Sequence, residues 1–376
     1  MTAFALTPEQ VSFAAWAREL AERELLPLVS AGVEGKVNRP LLEAMGRHGL
    51  LGRLFPETGE ASATELCLLR ESLAQVATEA ETALALQGLG GHPIASAGQP
   101  DVVRRWVPAI ARGEAVAAFA LSEPDAGSDA GALKLRAEPD GSGWRLTGEK
   151  TWISNAPQAD VYTVFARTTE SARSRGVTAY VVDGAASGVG GEPLEMLSPH
   201  PIGRLVLDGV YVEADAVLGK VDGGFQVAMA TLNLFRPSVG AFAVGMAQAA
   251  LDAAIAHAGS RQAFGAPLAR MQSVGHTLAE MATRTEAARL MVYAAAAAYE
   301  RADPDVPKRS AMAKLFATET AQCVVDAAVQ VHGARGLERG HLLEHLYREV
   351  RAPRIYEGAT EVQRSIIARE LSARNE

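Results

Sequence analysis

The spacing of apolar residues changes twice along this chain of 376 residues, and that change restricts the fold more than any single motif. Residues 7–112 carry apolar side chains at helical intervals. Residues 114–220 contain short alternating or β-branched runs separated by Gly, Asp and Ser. Helical spacing returns at residue 224, in long alanine-rich segments. We therefore predict a multidomain α+β fold.

Three domains follow from this pattern. We predict an N-terminal helical domain over 1–113, a central β-barrel-like domain over 114–223 and a C-terminal helical bundle over 224–376. The segment Thr7-Pro8-Glu9-Gln10 predicts the start of the first helix, with a threonine cap and a glutamine placed for a capping box. Within the β domain, the glycine-rich stretch 184–193 is expected to be a loose loop.

Composition limits the classes of binding partner and the cellular compartment of the protein. A net charge of −8 argues against a nucleic-acid partner. Cys67 and Cys323 form no CxxC pair, which favours a reducing compartment with both residues as small buried side chains. No signal peptide is visible at the start, and the most apolar run, 290–299, is shorter than the ~20 residues of a membrane span. We predict a cytoplasmic protein that does not enter a membrane.

One metal motif needs to be weighed. The segment "HLLEH" (341–345) matches the H-x-x-E-H pattern of zinc peptidases. Its flanks are densely charged and no third ligand accompanies it, so a solvated helix face is the better interpretation, and we predict no metal site. Signatures of P-loop proteins and serine hydrolases are missing from the sequence, and "GLGGHP" lacks the third glycine of a Rossmann fingerprint.

Four segments carry groups suited to chemistry. The loop 118–131 is rich in hydroxyl and backbone donors, which can bind a planar heterocycle or a phosphate. In 148–156, Trp152 and Ser154 are two residues apart and should share one strand face, where they could flank a flat cofactor. Arg261 precedes a turn after a long helix. The fourth segment runs from "QVHGARG" (330–336) to "RIYEGATEVQ" (354–363).

In this order, the four segments resemble the acyl-CoA dehydrogenase family over essentially the whole chain. The resemblance implies the α–β–α architecture of that family and FAD bound at a subunit interface. The positions that it implies for FAD binding are Phe119, Leu121, Ser122, Ser128, Trp152, Ser154, Arg261, Phe264, Gln272, Gln330, Gly333, Thr360 and Glu361.

The resemblance also implies roles for these residues. Trp152 and Ser154 would lie beside the flavin ring, with the Ser154 hydroxyl near N5. A neighbouring subunit would offer Arg261, Phe264 and Gln272 to the pyrophosphate and adenosine, and Gln330 and Gly333 would add a further pyrophosphate contact. A bidentate arginine donor suits a pyrophosphate bound by an acidic chain. The alternative for Arg261 is a surface arginine at a helix C-terminus.

Glu357 stands in the position of the family's "YEG" motif, whose glutamate removes the substrate α-proton. The alternative is an ordinary acid at a helix start. Burial against the substrate would raise the pKa of this carboxyl toward neutrality, and its backbone N–H would donate to the thioester carbonyl. Some relatives place the base where this chain has Phe235, which cannot act as one. The implied substrate-binding residues are Ser128, Asn233, Arg236, Gly358 and Arg369; for Arg236 the alternative is a structural ion pair.

The resemblance implies an FAD-dependent α,β-dehydrogenase of an acyl thioester, passing electrons to an electron-transferring flavoprotein and assembling as a homotetramer or at least a dimer. The chain departs from the family pattern at Ala359, where a threonine is usual, and near the ligand. A substrate on a carrier protein in a biosynthetic pathway therefore stays open. So do a flavin monooxygenase or oxidase on the same fold, and a scaffold protein without activity.

Overall fold

The computed structural model describes residues 6–56, 60–170 and 174–372, and its elements follow the predicted order of helices, strands and helices. The helices are α1 (Pro8–Leu20), α2 (Leu26–Ser30), α3 (Arg39–Arg47), α4 (Ala63–Ala74), α5 (Thr78–Ala97), α6 (Pro100–Ala111), α7 (Gly224–Ser260), α8 (Gln272–Glu300), α9 (Val306–His332), α10 (Leu342–Glu349) and α11 (Thr360–Ser372). The strands are β1 (Ala117–Ala120), β2 (Arg136–Asp140), β3 (Gly143–Ser154), β4 (Val161–Arg167), β5 (Val177–Asp183), β6 (Val189–Pro193), β7 (Ile202–Val212), β8 (Val217–Leu218), β9 (Gln262–Ala263) and β10 (Ala266–Pro267).

The start of α1 is the predicted capping box. Gln10 N donates to Thr7 Oγ1 at 3.2 Å, and Thr7 N donates to Gln10 Oε1 at 2.9 Å. Each bond satisfies an N–H group that the first helical turn leaves without a partner. The prediction for this helix start is confirmed.

The chain divides into two compact units, each built from separate segments. Unit 1 comprises the residues up to Arg23, Ser62–Glu81 and the residues from Asn233 onward. Unit 2 comprises Glu24–Ala61 and Thr82–Leu232. The domain limits predicted from the sequence stay predictions.

Unit 2 contains a mixed sheet. Its strands are ordered β6-β7-β3-β2-β4-β5-β8, and β1 pairs with β4 in parallel. Alternate residues of β4 belong to different apolar clusters: Tyr162 and Val164 pack in one, Val161 and Phe165 in the other. Because side chains alternate across a strand, both faces of the sheet are covered by apolar residues.

The glycine-rich stretch predicted to be a loop contains an edge strand. Strand β6 pairs antiparallel with β7 over Val189–Pro193, so the loop prediction was wrong for these residues. A Cβ at Gly191 would lie 2.0 Å from the carbonyl oxygen of Arg204. The glycine that suggested a loop therefore permits the close approach of the two backbones.

Unit 1 takes most of its core from long helices. A Cβ at Gly240 in α7 would lie 2.7 Å from Val292 in α8 and 3.5 Å from Ala317 in α9, so small residues let these helices approach closely. Helix α7 continues through Pro237, while Ser238 Oγ donates to the carbonyl of Phe235 at 2.6 Å.

Two predictions made from single segments need correction. By length and composition alone, α7 could cross a membrane, whereas the prediction from sequence considered only the run 290–299. In the structure, 72% of the most apolar stretch of α7 is buried inside the protein, as in a core helix. Cys67 is buried as predicted, whereas Cys323 is exposed. The helical period of α9 carries Cys323 to the outer face of the helix.

Candidate active site

The turn at residues 356–358 has an unusual backbone conformation. It follows a short 3₁₀ segment and precedes α11. Glu357 has a φ of 49° and Gly358 a φ of 91°. The left-handed region costs a non-glycine residue roughly 1–2 kcal/mol, so surrounding contacts must stabilise Glu357 there. Glu357 is therefore not an ordinary acid in a first helical turn.

Glu357 is half-buried, with one carboxylate oxygen enclosed, and the group lies near three cations. Its Oε2 atom is buried and has no hydrogen-bond partner among the described residues. Burial raises the pKa of Glu357, and Arg70, Lys314 and Arg236 oppose that rise. The net shift is upward. A carboxylate with a raised pKa is a stronger base than a solvated one, and its unpartnered oxygen is available to a proton donor.

Contacts within unit 1 fix the backbone around Glu357. Lys314 Nζ, on α9, donates to the carbonyl oxygens of Tyr356 (3.0 Å) and Gly358 (2.7 Å). Gln363 Nε2, on α11, donates to Gly358 O at 2.8 Å. A Cβ at residue 358 would lie 2.4 Å from that Nε2 atom. The resemblance implied substrate binding for Gly358, and the structure shows that its backbone closely approaches Gln363.

Arg236 is buried in α7 with its charge near Glu357. It is 6% exposed, and its guanidinium donates to Asn233 Oδ1 at 3.3 Å. Burial lowers the pKa of Arg236, and the charge of Glu357 opposes that shift. In the described chain its Nε atom has no partner and no carboxylate oxygen lies within 4 Å, which disfavours the structural ion pair. Asn233, Arg236 and Glu357 are thus brought to one place.

A second group of candidates lies where α7 ends. Arg261 leads into the β9–β10 hairpin, and Phe264 at its tip has a φ of 52° and is 97% exposed. The rings of His257 and His332 stack with centroids 4.2 Å apart. This contact brings the end of α7 to the end of α9, where Gly333 has a φ of 62°. The exposed Arg261 and Phe264 therefore follow a helix end that lies close to the end of α9.

The other candidates of unit 1 are more scattered. Gln272, Gln330 and Glu361 are exposed, and Arg369 touches only its neighbour Glu370, at 3.3 Å, among the residues described. Thr360 is different because it is 6% exposed and its hydroxyl donates to Glu319 at 3.0 Å. The Thr360 hydroxyl therefore already has a hydrogen-bond partner within unit 1.

In unit 2, a buried ion pair shapes the loop after β1. Lys150 Nζ donates to Glu123 Oε1 at 2.8 Å and to Leu121 O at 3.0 Å. The Glu123 carboxylate also accepts from the backbone N–H groups of Lys134 and Leu135. Burial lowers the pKa of Lys150 to about 8. These buried contacts hold the loop after β1 in place, while Ser128 stays exposed.

The end of β3 lies against this loop. Thr151 N donates to Ser122 O at 3.1 Å. The pairing of β3 with β7 is irregular between Lys150 and Ile153, and Trp152 has a φ of 55°. The prediction that Trp152 and Ser154 share a face assumed regular alternation, and this bulge interrupts it. Trp152 is nevertheless 50% exposed while Ile153 beside it is buried.

The groups of unit 2 suit a flavin ring. In the described chain, the hydroxyls of Ser122, Ser128 and Ser154 have no hydrogen-bond partner, so they are available to the polar edge of a heterocycle. Trp152 offers an exposed aromatic surface for the flat ring. Phe119 packs against Phe165 with ring centroids 4.9 Å apart, which makes it part of the support under the loop. These residues fit FAD.

Three residues at the Glu357 turn escaped the sequence analysis. Arg70, Lys314 and Gln363 are each 2% exposed or less. Arg70 forms a buried ion pair with Glu81 and donates to Ser238 Oγ at 2.7 Å. For Lys314 the available signal was a single charged residue within the apolar helical run "AMAKLF". For the "HLLEH" segment the sequence predicted a solvated helix face, and in the structure His341 accepts from Leu343 N to cap α10.

Known proteins resemble the chain along its whole length. Family models match the N-terminal (7–114), middle (118–210) and C-terminal (222–372) domains of acyl-CoA dehydrogenases. The "Probable acyl-CoA dehydrogenase FadE25" of Mycobacterium tuberculosis is 36% identical, covering 98% of this chain and 96% of that protein. The butyryl-CoA dehydrogenase of Megasphaera elsdenii has a TM-score of 0.92 at 31% identity, covering 98% and 99% of the two chains.

A structure with bound cofactor belongs to the same group. A glutaryl-CoA dehydrogenase of Mycobacterium smegmatis in complex with FADH2 has a TM-score of 0.89 at 26% identity, covering 98% of this chain and 95% of that one. The predicted architecture of helical, β and helical domains is confirmed. The chain is an FAD-dependent oxidoreductase and belongs to the acyl-CoA dehydrogenase family.

Proposed function

We propose that the chain oxidises an acyl-CoA to the trans-2-enoyl-CoA, with Glu357 as the base that removes the α-proton. The observation that carries this proposal is the Glu357 carboxyl group: its Oε2 is buried without a partner in the described chain, and burial raises its pKa. A solvated helix-start acid would show neither property. Proton removal next to a thioester needs a carboxylate of this kind.

The backbone supports the same chemistry. Among the described residues no acceptor is paired with the Glu357 N–H. That N–H would donate to the thioester carbonyl and stabilise the negative charge that develops as the α-proton leaves. The charges of Arg70, Lys314 and Arg236 oppose the rise in the Glu357 pKa and so favour the ionised form that a base needs.

Unit 2 supplies the groups for the cofactor. When bound, FAD supplies the acceptor for the β-hydride at its N5 atom. Ser122 and Ser128 would donate to the flavin, Trp152 would cover its ring and Ser154 would donate near N5. Asn233, Arg236 and Arg369 would contact the CoA part of the substrate. Support for these roles comes from the uncommitted hydroxyls and from the buried, partly unpartnered guanidinium of Arg236.

Assembly and electron transfer complete the proposal. Arg261, Phe264, Gln272, Gln330 and Gly333 would be offered to the FAD of a second subunit in a homotetramer, with an electron-transferring flavoprotein as acceptor. The exposure of Phe264 supports a partner surface at the hairpin. The cytoplasmic location stays a prediction.

The test is anaerobic reduction of the bound flavin by a panel of thioesters. Straight, branched and cyclic acyl-CoAs would each be mixed with the FAD-loaded protein, while flavin absorbance and enoyl-CoA formation are followed. We expect at least one acyl-CoA to bleach the flavin and give one enoyl-CoA per flavin. The same acyl groups on an acyl carrier protein serve as the comparison. Bleaching by carrier-bound thioesters alone would contradict the assignment of CoA esters as substrates.

A further inference from the structure

Lys314 is buried without a carboxylate partner. Its side chain is 0% exposed, and no acidic oxygen lies within 4 Å of its Nζ in the described part of the chain. A buried ammonium usually requires pairing, because removal from water disfavours its charge. Burial lowers the pKa of Lys314 to about 8, and the charge of Glu357 opposes that shift. An unpaired buried lysine in an alanine-rich helix requires a reason.

The two hydrogen bonds of the Lys314 ammonium explain why this lysine is buried. The Lys314 ammonium donates to the carbonyl oxygens on both sides of Glu357, those of Tyr356 and Gly358. Glu357 has the left-handed φ of 49°, which is unfavourable for a residue with a Cβ. Fixing both neighbouring carbonyls restricts the turn to this conformation. The carboxyl group and the N–H of Glu357 are directed by the same backbone.

We propose that Lys314 is the positioning residue of the reaction, which holds the 356–358 turn so that the Glu357 carboxylate and N–H are set for the thioester. This inference rests on the proposed role of Glu357. Gln363 is the second clamp, because its Nε2 donates to the same Gly358 carbonyl. Unlike Lys314, Gln363 brings no charge to the turn.

The charge gives Lys314 a second effect that can be measured separately. The cations facing Glu357 are Arg70 on α4, Arg236 on α7 and Lys314 on α9, and each lowers the Glu357 pKa against its burial. Lys314 in turn is faced by Glu357, Arg236, Glu319 and Glu361. Without the Lys314 charge, the Glu357 carboxyl group would keep its proton to higher pH. Since the base must be ionised to react, the acid limb of the pH–rate profile would shift to higher pH.

Three variants separate position from charge. Lys314→Met removes the donors and the charge, Lys314→Gln keeps amide donors without charge, and Lys314→Arg keeps both. Flavin reduction by a saturating acyl-CoA would be measured under anaerobic conditions across pH, together with FAD content and thermal unfolding. Lys308→Met is the matched control, because it also removes a lysine ammonium from α9. The Lys308 ammonium pairs with Asp305 at 3.2 Å rather than with the Glu357 turn.

We expect Lys314→Met to slow flavin reduction about ten- to a hundredfold, the loss typical of a small misplacement of a catalytic group. The acid limb should move to higher pH in the Met and Gln variants and return toward its original position in Lys314→Arg. Lys308→Met should change neither the rate nor the limb. If Lys314→Met does not fold, the position of the acid limb in the pH–rate profile of Lys314→Gln tests the inference.

A wild-type rate and acid limb in the neutral variants would overturn the inference. Glu357→Gln, measured alongside, keeps the two proposals distinct. If Glu357→Gln cannot reduce flavin while Lys314→Met and Lys314→Gln behave as wild type, Lys314 has no positioning role and the proposed function stands. If Glu357→Gln reduces flavin at the wild-type rate, the proposed function itself fails.

Discussion

Glycine at position 358 is required for two separate reasons. Its φ of 91° is unfavourable for residues with a Cβ, and a Cβ there would lie 2.4 Å from Gln363 Nε2. The Gln363 side chain could move aside, but it would then lose its 2.8 Å bond to the Gly358 carbonyl. The turn would lose one of its two clamps.

We therefore expect Gly358→Ala to lower the free energy of unfolding by about 1–3 kcal/mol, combining backbone strain with one lost hydrogen bond. Flavin reduction should slow as well, because the Gly358 carbonyl beside Glu357 would keep only the hydrogen bond from Lys314. Urea unfolding and anaerobic bleaching would be measured on the same samples. Gly275→Ala in α8 is the control: no atom lies within 4 Å of its added Cβ, and alanine favours a helix. Equal loss of stability in both variants would refute the strain at 358.

At this scale, the sequence could identify Glu357 but not the charges around it. The "YEG" motif marks Glu357 through its resemblance to the family. Lys314 is a single charged residue in an apolar run, and Arg70 is followed by the charged Glu71; at either place a charged residue of a helix usually faces water. Only the packing within unit 1 buries them, and that packing depends on residues far away in the chain.

Helix α5 carries a half-buried histidine that should make the stability of the protein sensitive to acid. His92 Nδ1 lies 3.0 Å from Thr231 Oγ1, and burial lowers the His92 pKa from 6.5 to about 4. The unfolded chain therefore binds a proton between pH 6.5 and 4 that the folded chain does not. This contribution to stability is fully present above pH 6.5 and is lost as the pH falls toward 4.

We expect the free energy of unfolding to fall by about 1–3 kcal/mol over that interval because of His92 alone. His92→Gln keeps an amide near Thr231 but cannot titrate, so its stability should depend less on pH from 6.5 to 4. The measurement is urea unfolding of both proteins at several pH values, followed by subtraction of the two curves. Parallel curves would show that His92 is not protonated on unfolding.

At the scale of elements, periodicity predicted the order of helices and strands, and it failed where backbone geometry decided the outcome. Strand β6 was mistaken for a loop because glycine is rare in strands, although Gly191 is needed for close pairing with β7. The bulge at Trp152 has no signal in the period-2 pattern. Such features depend on the neighbouring strand, which a local window of sequence does not contain.

At the scale of the whole molecule, the residues that the resemblance implies for the site are distant in the chain and belong to different compact units. The flavin-binding candidates led by Ser122 and Trp152 are in unit 2, and Glu357 is in unit 1. Composition and periodicity gave no reason to connect them. The resemblance to one family did so, and the match of all three domain models shows that the chain belongs to that family.

The proposed reaction depends most on Glu357 as the base. The decisive measurement is anaerobic flavin reduction by the best acyl-CoA of the panel, comparing wild type, Glu357→Gln and the exposed control Glu280→Gln in α8. All three should bind FAD equally, as their absorbance spectra would report. Glu357→Gln should reduce flavin at least about a hundredfold more slowly, because an amide cannot accept the α-proton. Glu280→Gln should behave as wild type, whereas wild-type reduction by Glu357→Gln would contradict the account.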